Sequence, residues 1–438
     1  MGIKTRKILY FTFLAAFFIS APLVVLYTAG YRYNFGSGKI VQTGVLSVTS
    51  EPKGADIFID NEKQRSKSPA VIDNVFPGEH EIRLEKDGYL PWGKKLTIQA
   101  KETTFVNQVA LFADQVPERL VGDEALRIYP GPAGKIFAYL SVQDSWNELW
   151  IYHTNTSDDQ LLARLPLGAA QELTVAWSAD GSYLSLQGAS LSLINTETAK
   201  NYDLSNAAPG WWDAEHGDTY YFYQNNILKS VRLPGEETAQ IKLVEAAVKS
   251  SGNDLIMAQK IDNRVVVARR QGETANILAY LPLGDYSFQP SPNQDLLLLE
   301  DKKRQRIFLI DTRSSEQPIL LNSVAVLWQW SPDGRRLLYS DGFDLHIYFL
   351  NDYLDETLTR LSQPITGLAW YPPAQSVIFC QDNQVTAVDL DRRQGYSLTA
   401  LVAGSDFNDL LVDPRGRAVY FYGQVGEEKG VWAKGLLR

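Results

Sequence analysis

Residues 326–340 read VLWQWSPDGRRLLYS, and this stretch decides the fold of most of the chain. Residues 326–330 are apolar except for Gln329, and they predict a strand. Ser331-Pro332-Asp333-Gly334 predicts a turn, because proline fixes φ and glycine readily adopts a positive φ. Residues 336–340 predict a second strand, so the whole stretch predicts a β-hairpin.

The same pattern recurs along the chain as a degenerate repeat. Its clearest other copy is Trp177-Ser178-Ala179-Asp180-Gly181, which an apolar run again follows. Weaker copies of the turn lie at residues 132–134, 214–217, 251–253, 291–294, 372–375 and 413–416. Successive turns are 36 to 47 residues apart, and a period near forty with several short strands per copy predicts a β-propeller. Eight copies predict eight blades, or seven if the irregular span from Trp146 to His216 holds one blade fewer.

Each copy of the repeat predicts one propeller blade. In the copy that begins at residue 326, residues 345–350 predict a third strand and residues 357–361 an outer strand. The best copies resemble the TolB-like and WD40-like repeats of bacterial envelope proteins, and the resemblance covers about residues 115–438. Trp177, Trp330 and Trp370 precede the turns in their copies. We interpret them as residues that pack neighbouring blades together, with stacking against a ligand as the alternative.

A small β domain is predicted at residues 44–113, before a propeller at residues 114–438. Its predicted strands lie at 45–50, 57–60, 68–72, 80–85, 96–98 and 105–109. Asp60-Asn61 predicts the turn of a hairpin. The corner Pro52-Lys53-Gly54-Ala55, together with Ser68-Pro69, Gly78-Glu79-His80 and Gly88-Tyr89, resembles the PEGA domain family, with Lys53 in place of the family's glutamate. The resemblance implies a small antiparallel, extracytoplasmic β module without catalytic residues.

An uncharged apolar segment near the start of the chain predicts a membrane anchor. Residues 8–27 would span about 30 Å as a helix, the thickness of a bilayer's hydrocarbon core. Lys4, Arg6 and Lys7 precede the segment, and such basic residues stay on the cytoplasmic side. We therefore predict a cytoplasmic tail at residues 1–7 and a single transmembrane helix at residues 8–28 of the cytoplasmic membrane.

The residues after this helix predict its exit from the membrane. Residues 29–43 are expected to form a linker, and everything beyond them to be extracytoplasmic. Tyr27, Tyr31, Tyr33 and Phe35 are typical of an interfacial aromatic belt. A secretory signal cut near residues 28–30 is the alternative, because it also begins with a basic and then an apolar segment.

Composition narrows the classes of function. The chain is 45% hydrophobic and 21% charged, which is ordinary for a globular protein. The formal net charge is -9, and without Lys4, Arg6 and Lys7 it is about -12, a poor match for nucleic acid. Cys380 is the only cysteine, so no intrachain disulfide forms, and its apolar run predicts a buried, inert thiol.

No catalytic, cofactor-binding or metal-binding residues stand out, and we expect no cofactor. His80, His153, His216 and His346 have no metal-ligand spacing, and no nucleophile elbow or P-loop is present. The charged residues of segment 389–393 are interpreted as a solvated loop. The basic run 301–306 is interpreted as an exposed hairpin tip, and Asn155-Thr156-Ser157 matches a glycosylation sequon.

The sequence therefore favours an all-β, membrane-anchored binding or scaffold protein of the cell envelope. Its propeller rim would present loops to a protein or an envelope polymer, since rigid scaffolds commonly carry function on their loops. An extracytoplasmic lyase or hydrolase that uses the propeller channel is the first alternative. A sensor that signals through a membrane partner is the second, because only about seven residues precede the anchor. The binding residues, the partner and the oligomeric state stay open.

Overall fold

The computed structural model describes residues 3–36, 38–122, 124–166, 173–188, 190–204, 207–208, 210–225, 227–235, 238–241, 246–251, 254–272, 274–372 and 376–438. These residues separate into two compact units. The first unit comprises residues 1–114 together with Val388–Thr399, and the second comprises Gln115–Ala387 and Ala400–Arg438. Each unit has its own core.

The first unit begins with helix α1 (Ile3–Thr28). Within it, Thr5–Thr28 is long and apolar enough to cross a membrane, and a signal sequence near the N-terminus can also contain a helix of this kind. A two-stranded hairpin follows at once, formed by β1 (Tyr31–Asn34) and β2 (Lys39–Gln42). The segment expected to be a linker therefore contains paired strands.

Seven further strands form two facing sheets. They are β3 (Gly44–Glu51), β4 (Asp56–Ile59), β5 (Glu62–Lys67), β6 (Ala70–Val75), β7 (Gly78–Glu85), β8 (Trp92–Ile98) and β9 (Thr103–Ala110). One sheet has the strand order β6-β3-β9 and the other β5-β4-β7-β8. The core between them holds Leu46, Ile57, Ile82 and Leu96, which alternate with outward residues as strand geometry requires.

One detail of this domain follows from its sequence and two do not. Asp60 and Asn61 both have positive φ, and they close the β4–β5 hairpin as predicted. Strand β5 was not predicted, because its sequence EKQRSK has no apolar alternation. Strands β3 and β9 pair in parallel, which departs from the expected all-antiparallel arrangement. Two parallel strands need a long connection between them, and here β4 to β8 lie between β3 and β9 in the sequence.

The second unit begins with β10 and three complete sheets. The strands are β10 (Glu118–Val121), β11 (Ala125–Pro130), β12 (Ile136–Val142), β13 (Trp146–His153), β14 (Asp158–Pro166), β15 (Thr174–Trp177), β16 (Tyr183–Gln187), β17 (Leu191–Asn195), β18 (Asn201–Asp203), β19 (Trp211–Trp212), β20 (Thr219–Gln224), β21 (Ile227–Arg232) and β22 (Thr238–Ile241). A short 3-10 turn lies at Pro132–Gly134. The three sheets are β11–β14, β15–β18 and β19–β22, each in sequential strand order.

Five more sheets follow in the same way. Their strands are β23 (Ala246–Ser251), β24 (Asp254–Ile261), β25 (Arg264–Gln271), β26 (Thr274–Leu281), β27 (Tyr286–Gln289), β28 (Leu296–Asp301), β29 (Arg306–Asp311), β30 (Ile319–Val324), β31 (Leu327–Trp330), β32 (Arg336–Ser340), β33 (Asp344–Phe349), β34 (Leu354–Arg360), β35 (Ile365–Tyr371), β36 (Ser376–Gln381), β37 (Gln384–Asp389), β38 (Leu398–Ala403), β39 (Ser405–Val412), β40 (Ala418–Val425) and β41 (Glu428–Gly435). Among the described residues, β10 to β41 form eight four-stranded sheets.

The sheets close into a propeller. The eighth sheet has the order β10-β41-β40-β39, so a strand from the start of the unit completes its last sheet. The first strands of several neighbouring sheets touch, and β11 of the first sheet touches β39 of the eighth. Apolar clusters fill the spaces between sheets, and one cluster joins Phe137 of the first sheet to Tyr420 of the eighth. The propeller fold predicted from the repeat is confirmed, and repeating the sheets around a ring leaves only short sheet edges.

Candidate functional site: the central cavity

A cavity of about 480 Å³ lies among the first strands of six sheets of the propeller. It is bordered by residues of β11, β15, β27, β31, β35 and β39, and by the turns that follow the first three of these strands. We call residues 130–133, 177–179 and 289–290 the cavity turns. The lining combines apolar and polar groups, namely Trp177, Gln289, Leu327, Trp328, Gln329, Trp330, Thr366, Leu368 and Asp409. A concave site with a few placed polar groups is typical of a ligand or partner site.

Three tryptophans named from the sequence lie at or near the end of a first strand. The indole Nε1 of each donates to a main-chain carbonyl of the preceding sheet: Trp177 to Tyr129 at 3.3 Å, Trp330 to Pro290 at 2.9 Å, and Trp370 to Gln329 at 3.0 Å. Their packing role between blades is confirmed. Trp177 and Trp330 also line the cavity with partly exposed side chains, so they have surface left for a partner.

A fourth tryptophan of this kind escaped the sequence reasoning. Trp212 of β19 donates to the carbonyl of Ala176 in the preceding sheet at 3.0 Å. The sequence feature that could have identified Trp212 is its position two residues before the weak turn at residues 214–217. The turn is hard to recognise because its carboxylate, Asp213, comes directly after the tryptophan.

The repeated turns are built around a carboxylate. Asp333 accepts a hydrogen bond from the Ser331 hydroxyl at 2.5 Å, and that hydroxyl accepts from the main-chain N–H of Arg336 at 2.9 Å. Ser178 and Asp180 make the corresponding bond at 2.8 Å. Burial raises the pKa of Asp180, but hydrogen bonds from Ser182 and Ser178 outweigh it and leave the pKa below its usual range. The pKa of Asp333 is likewise lowered, so both turns keep their carboxylates ionised at neutral pH.

One charged pair marks the cavity wall. Asp409 lies at an irregularity of β39 and has φ +48°, and bulges of this kind redirect side chains. Its Oδ1 lies 3.2 Å from Arg127 Nη2 of β11, while its buried Oδ2 has no hydrogen-bond partner among the described residues. Burial raises the pKa of Asp409, and the Arg127 charge opposes that shift. The pair joins the first strands of the first and eighth sheets.

The segment 389–393 was expected to be a solvated loop, and that prediction is wrong for both of its acids. It belongs to the first unit, where Trp92 Nε1 donates to Asp389 Oδ2 at 3.1 Å. The buried Lys94 lies 3.4 Å from Asp391 Oδ2. Burial lowers the pKa of Lys94 and raises that of Asp389. The sequence misled because Trp92 and Lys94 lie about 300 residues away from their partners.

The basic run at residues 301–306 does form a hairpin tip between β28 and β29. Lys302 and Lys303 are exposed, whereas Asp301 is buried and lies 2.9 Å from Arg304 Nη1. The sequon at residues 155–157 lies in the turn between β13 and β14. These positions lie outside the cavity lining.

The predicted burial of Cys380 is confirmed. The thiol is fully buried in β36, and this burial raises its pKa to about 12. Its Sγ lies 3.4 Å from the hydroxyl of Thr366, a cavity residue. A thiol with such a pKa stays protonated and is a poor nucleophile.

Of the turns predicted from the repeat, residues 252–253 and 373–375 lie outside the described part of the chain. Among the described residues, His80 bonds to Asp60 within the first unit, and His346 stacks on Tyr339 in the sixth sheet. No three His, Cys, Asp or Glu side chains of the described residues are arranged to hold a metal ion.

Comparison with protein families agrees with the sequence for the first unit. Residues 43–110 match the model of the PEGA domain, close to the boundaries expected from the turns. The chain therefore carries a PEGA domain, followed along the sequence by a β-propeller. A search of curated proteins finds no match to the chain.

Solved structures similar to this chain include several propellers. The C-terminal WD40 domain of Sif2 has a TM-score of 0.48 at 15% identity, over 73% of this chain and 99% of that one. The Dos1 propeller has a TM-score of 0.48 at 14% identity, over 73% and 94%. The β-propeller domain of Cps50 (Swd1) from Myceliophteria thermophila has a TM-score of 0.44 at 14% identity, over 73% and 99%.

Proposed function

We propose that this protein is a membrane-anchored binding scaffold whose propeller captures a partner at the cavity turns, outside the cytoplasm. The observation that carries the proposal is the cavity of about 480 Å³ enclosed by first strands of the ring. Its rim offers exposed turn residues such as Ala133 and Pro290 beside partly exposed tryptophans. Aromatic side chains on a rigid frame are favoured at interfaces, because they bury much area at low entropic cost.

The partner is proposed to be a protein or a polymer of the cell envelope. The location rests on the apolar α1, on the basic residues in its first turns and on the PEGA domain that follows. The exported part would be acidic, so the partner is expected to have a neutral or basic surface. Nucleic acids and anionic lipids, which are negatively charged, are not expected as partners. Helix α1 is proposed to remain in place as the anchor.

The charged groups around the cavity favour binding over catalysis. Among its lining residues Asp409 is the one carboxylate, and it is held by Arg127. Hydrolysis of a glycosidic bond uses a pair of carboxylates a few ångströms apart, and general acid–base chemistry needs a positioned donor and acceptor. The described lining contains no second carboxylate and no histidine. The propeller-channel lyase or hydrolase is therefore the weaker reading.

The proposal is tested by crosslinking intact cells that carry the tagged full-length protein. After purification, coupled proteins are identified by mass spectrometry and coupled polymer by sugar analysis. The native chain is compared with a variant in which Trp177→Ala and Pro290→Ser alter the cavity turns. We expect one protein or one glycan to be recovered with the native chain and lost with the variant. Equal recovery with both chains would contradict binding at the cavity turns.

A further inference from the structure

The β1–β2 hairpin is fixed directly to the end of α1. Arg32 Nη1 donates to the carbonyl of Tyr27 at 2.7 Å, and its guanidinium lies 3.8 Å from the centre of the Tyr27 ring. Gln42 Nε2 donates to the carbonyl of Ala29 at 2.8 Å, and the Thr43 N–H donates to that of Gly30 at 2.9 Å. The carbonyl of Tyr27 in the last turn of the helix and the carbonyls of Ala29 and Gly30 just after it thus accept hydrogen bonds from the hairpin and from Thr43, so the two elements are held together directly.

The hairpin has an apolar face and a polar face. Tyr33 pairs with Ile40, and Tyr31 with Gln42, so these side chains share one face. Tyr33 and Ile40 are 51% and 59% exposed, and Phe35 in the turn is 89% exposed. The Phe35 ring packs edge-on against Tyr33, with 5.0 Å between the ring centres.

The opposite face has a different character. Arg32 and Asn34 belong to it, opposite Val41 and Lys39 on the second strand. An exposed apolar surface on a folded hairpin marks a contact surface, and two strands with one aromatic and one cationic face suit a boundary between apolar and polar media.

The position of the hairpin identifies what covers its apolar face. Two residues separate Thr28 at the end of α1 from Tyr31. A strand rises about 3.3 Å per residue, so a four-residue hairpin stays within roughly 13 Å of the helix end. The polar headgroup layer occupies this depth, and tyrosine, arginine and lysine are the residues that settle there.

We propose that the β1–β2 hairpin is a lipid-binding element, with Tyr33, Phe35 and Ile40 inserted among the headgroups of the membrane that α1 spans. The inference rests on the anchor role of α1 in the proposed function. Arg32 and Lys39 face water and lipid phosphates from the other side. Contact of the hairpin with the headgroups gives the anchor a second attachment to the membrane, which limits the tilt of α1.

Spin labels placed on the full-length protein test this proposal. Single cysteines are introduced by Tyr33→Cys, Phe35→Cys and Ile40→Cys on the apolar face, and by Asn34→Cys and Lys39→Cys on the polar face. Cys380 is fully buried and stays unlabelled in the folded protein. Each variant is reconstituted in vesicles of phosphatidylcholine and phosphatidylglycerol, and collisions with oxygen and with a water-soluble nickel complex are measured.

Labels at positions 33, 35 and 40 are expected to show an oxygen-to-nickel accessibility ratio several-fold above that at positions 34 and 39. Equal ratios on the two faces would overturn the proposal. Spin–spin broadening at position 35, together with full access of the nickel complex, would also overturn the proposal, because a second copy of the protein rather than lipid would then cover the apolar face. A label introduced by Ala16→Cys reports on the helix. If this label lies within the lipid while the hairpin labels do not, the hairpin proposal fails but the anchor role of α1 stands. A water-exposed Ala16→Cys label would contradict both.

Discussion

The indole Nε1 of Trp370 lies 3.0 Å from the carbonyl oxygen of Gln329, on the first strand of the neighbouring sheet. A second hydrogen bond joins the same two residues, because the side-chain oxygen Oε1 of Gln329 accepts from the main-chain N–H of Trp370 at 2.9 Å. Since the same indole-to-carbonyl bond recurs at Trp177, Trp212 and Trp330, the sheets of the propeller are joined by a repeated polar link as well as by apolar packing.

Replacing Trp370 with phenylalanine should weaken this joint. The change removes one buried hydrogen bond and part of a ring, so we expect a loss of about 1–3 kcal/mol in the free energy of unfolding. Denaturant unfolding followed by circular dichroism measures the loss. Trp146→Phe is the matched control, because Trp146 is 41% exposed and bonds within its own sheet. Similar losses in the two variants would contradict a joint role for Trp370.

Lys94 should be more important to the first unit than its neighbour Lys95. Lys94 is buried against Asp391, whereas Lys95 points to solvent near Glu79. Removing one partner of a buried pair leaves the other uncompensated, so Lys94→Ala is expected to cost roughly 2–4 kcal/mol and Lys95→Ala less than about 0.5 kcal/mol. Hydrogen exchange in β8 and in Val388–Thr399 measures both. Unchanged exchange in Lys94→Ala would show that Asp391 does not need this partner.

Asp409 should lower the stability of the folded protein at neutral pH but not at low pH. Burial raises its pKa in the folded state, so its contribution favours folding at low pH and is lost as the pH rises through the folded pKa. Asp409→Asn should therefore be as stable as the native chain or more stable at pH 7. This difference should vanish below the ordinary aspartate pKa of about 3.9. Thermal unfolding of both proteins between pH 3.5 and pH 7 measures the difference in stability between the variant and the native chain. The prediction is contradicted if the variant loses stability relative to the native chain as the pH rises from 3.5 to 7.

Cys380 should be unreactive until the propeller unfolds. Its thiol is buried and its pKa is raised to about 12, so little thiolate exists at pH 8. A chromogenic disulfide reagent is expected to leave the native protein unmodified for hours and to modify one thiol per chain in guanidinium chloride. Rapid reaction of the native protein would mean that the sheet containing β36 opens readily.

The architecture was largely predictable because it repeats. The turn Ser331-Pro332-Asp333-Gly334 and the runs around it predicted the hairpin β31–β32, and Asp60-Asn61 predicted the turn after β4 although strand β5 was not predicted. Strand β10 was missed, because its four residues ERLV carry no pattern and it pairs with β41 more than 300 residues later. Closure of a ring is a property of the assembled sheets, and no local segment shows it.

The candidate site was less predictable than the fold. Trp177 and Trp330 could be named from their place before a turn, although the sequence does not show that they border a cavity. Asp409 was missed, because a register irregularity in β39 sets its direction. Which side chains line the cavity depends on such shifts and on neighbouring sheets, and these are set by long-range pairing.

Site-specific photo-crosslinking tests the binding role of the cavity turns most directly. A photoreactive amino acid replaces Ala133, Ala179 or Pro290 in the full-length protein in cells, and Asn201 or Asn322 on outer strands as controls. We predict that the three cavity-turn positions couple to one and the same partner and that the two control positions do not. Coupling from the outer strands alone, or from none of the five positions, would contradict the account.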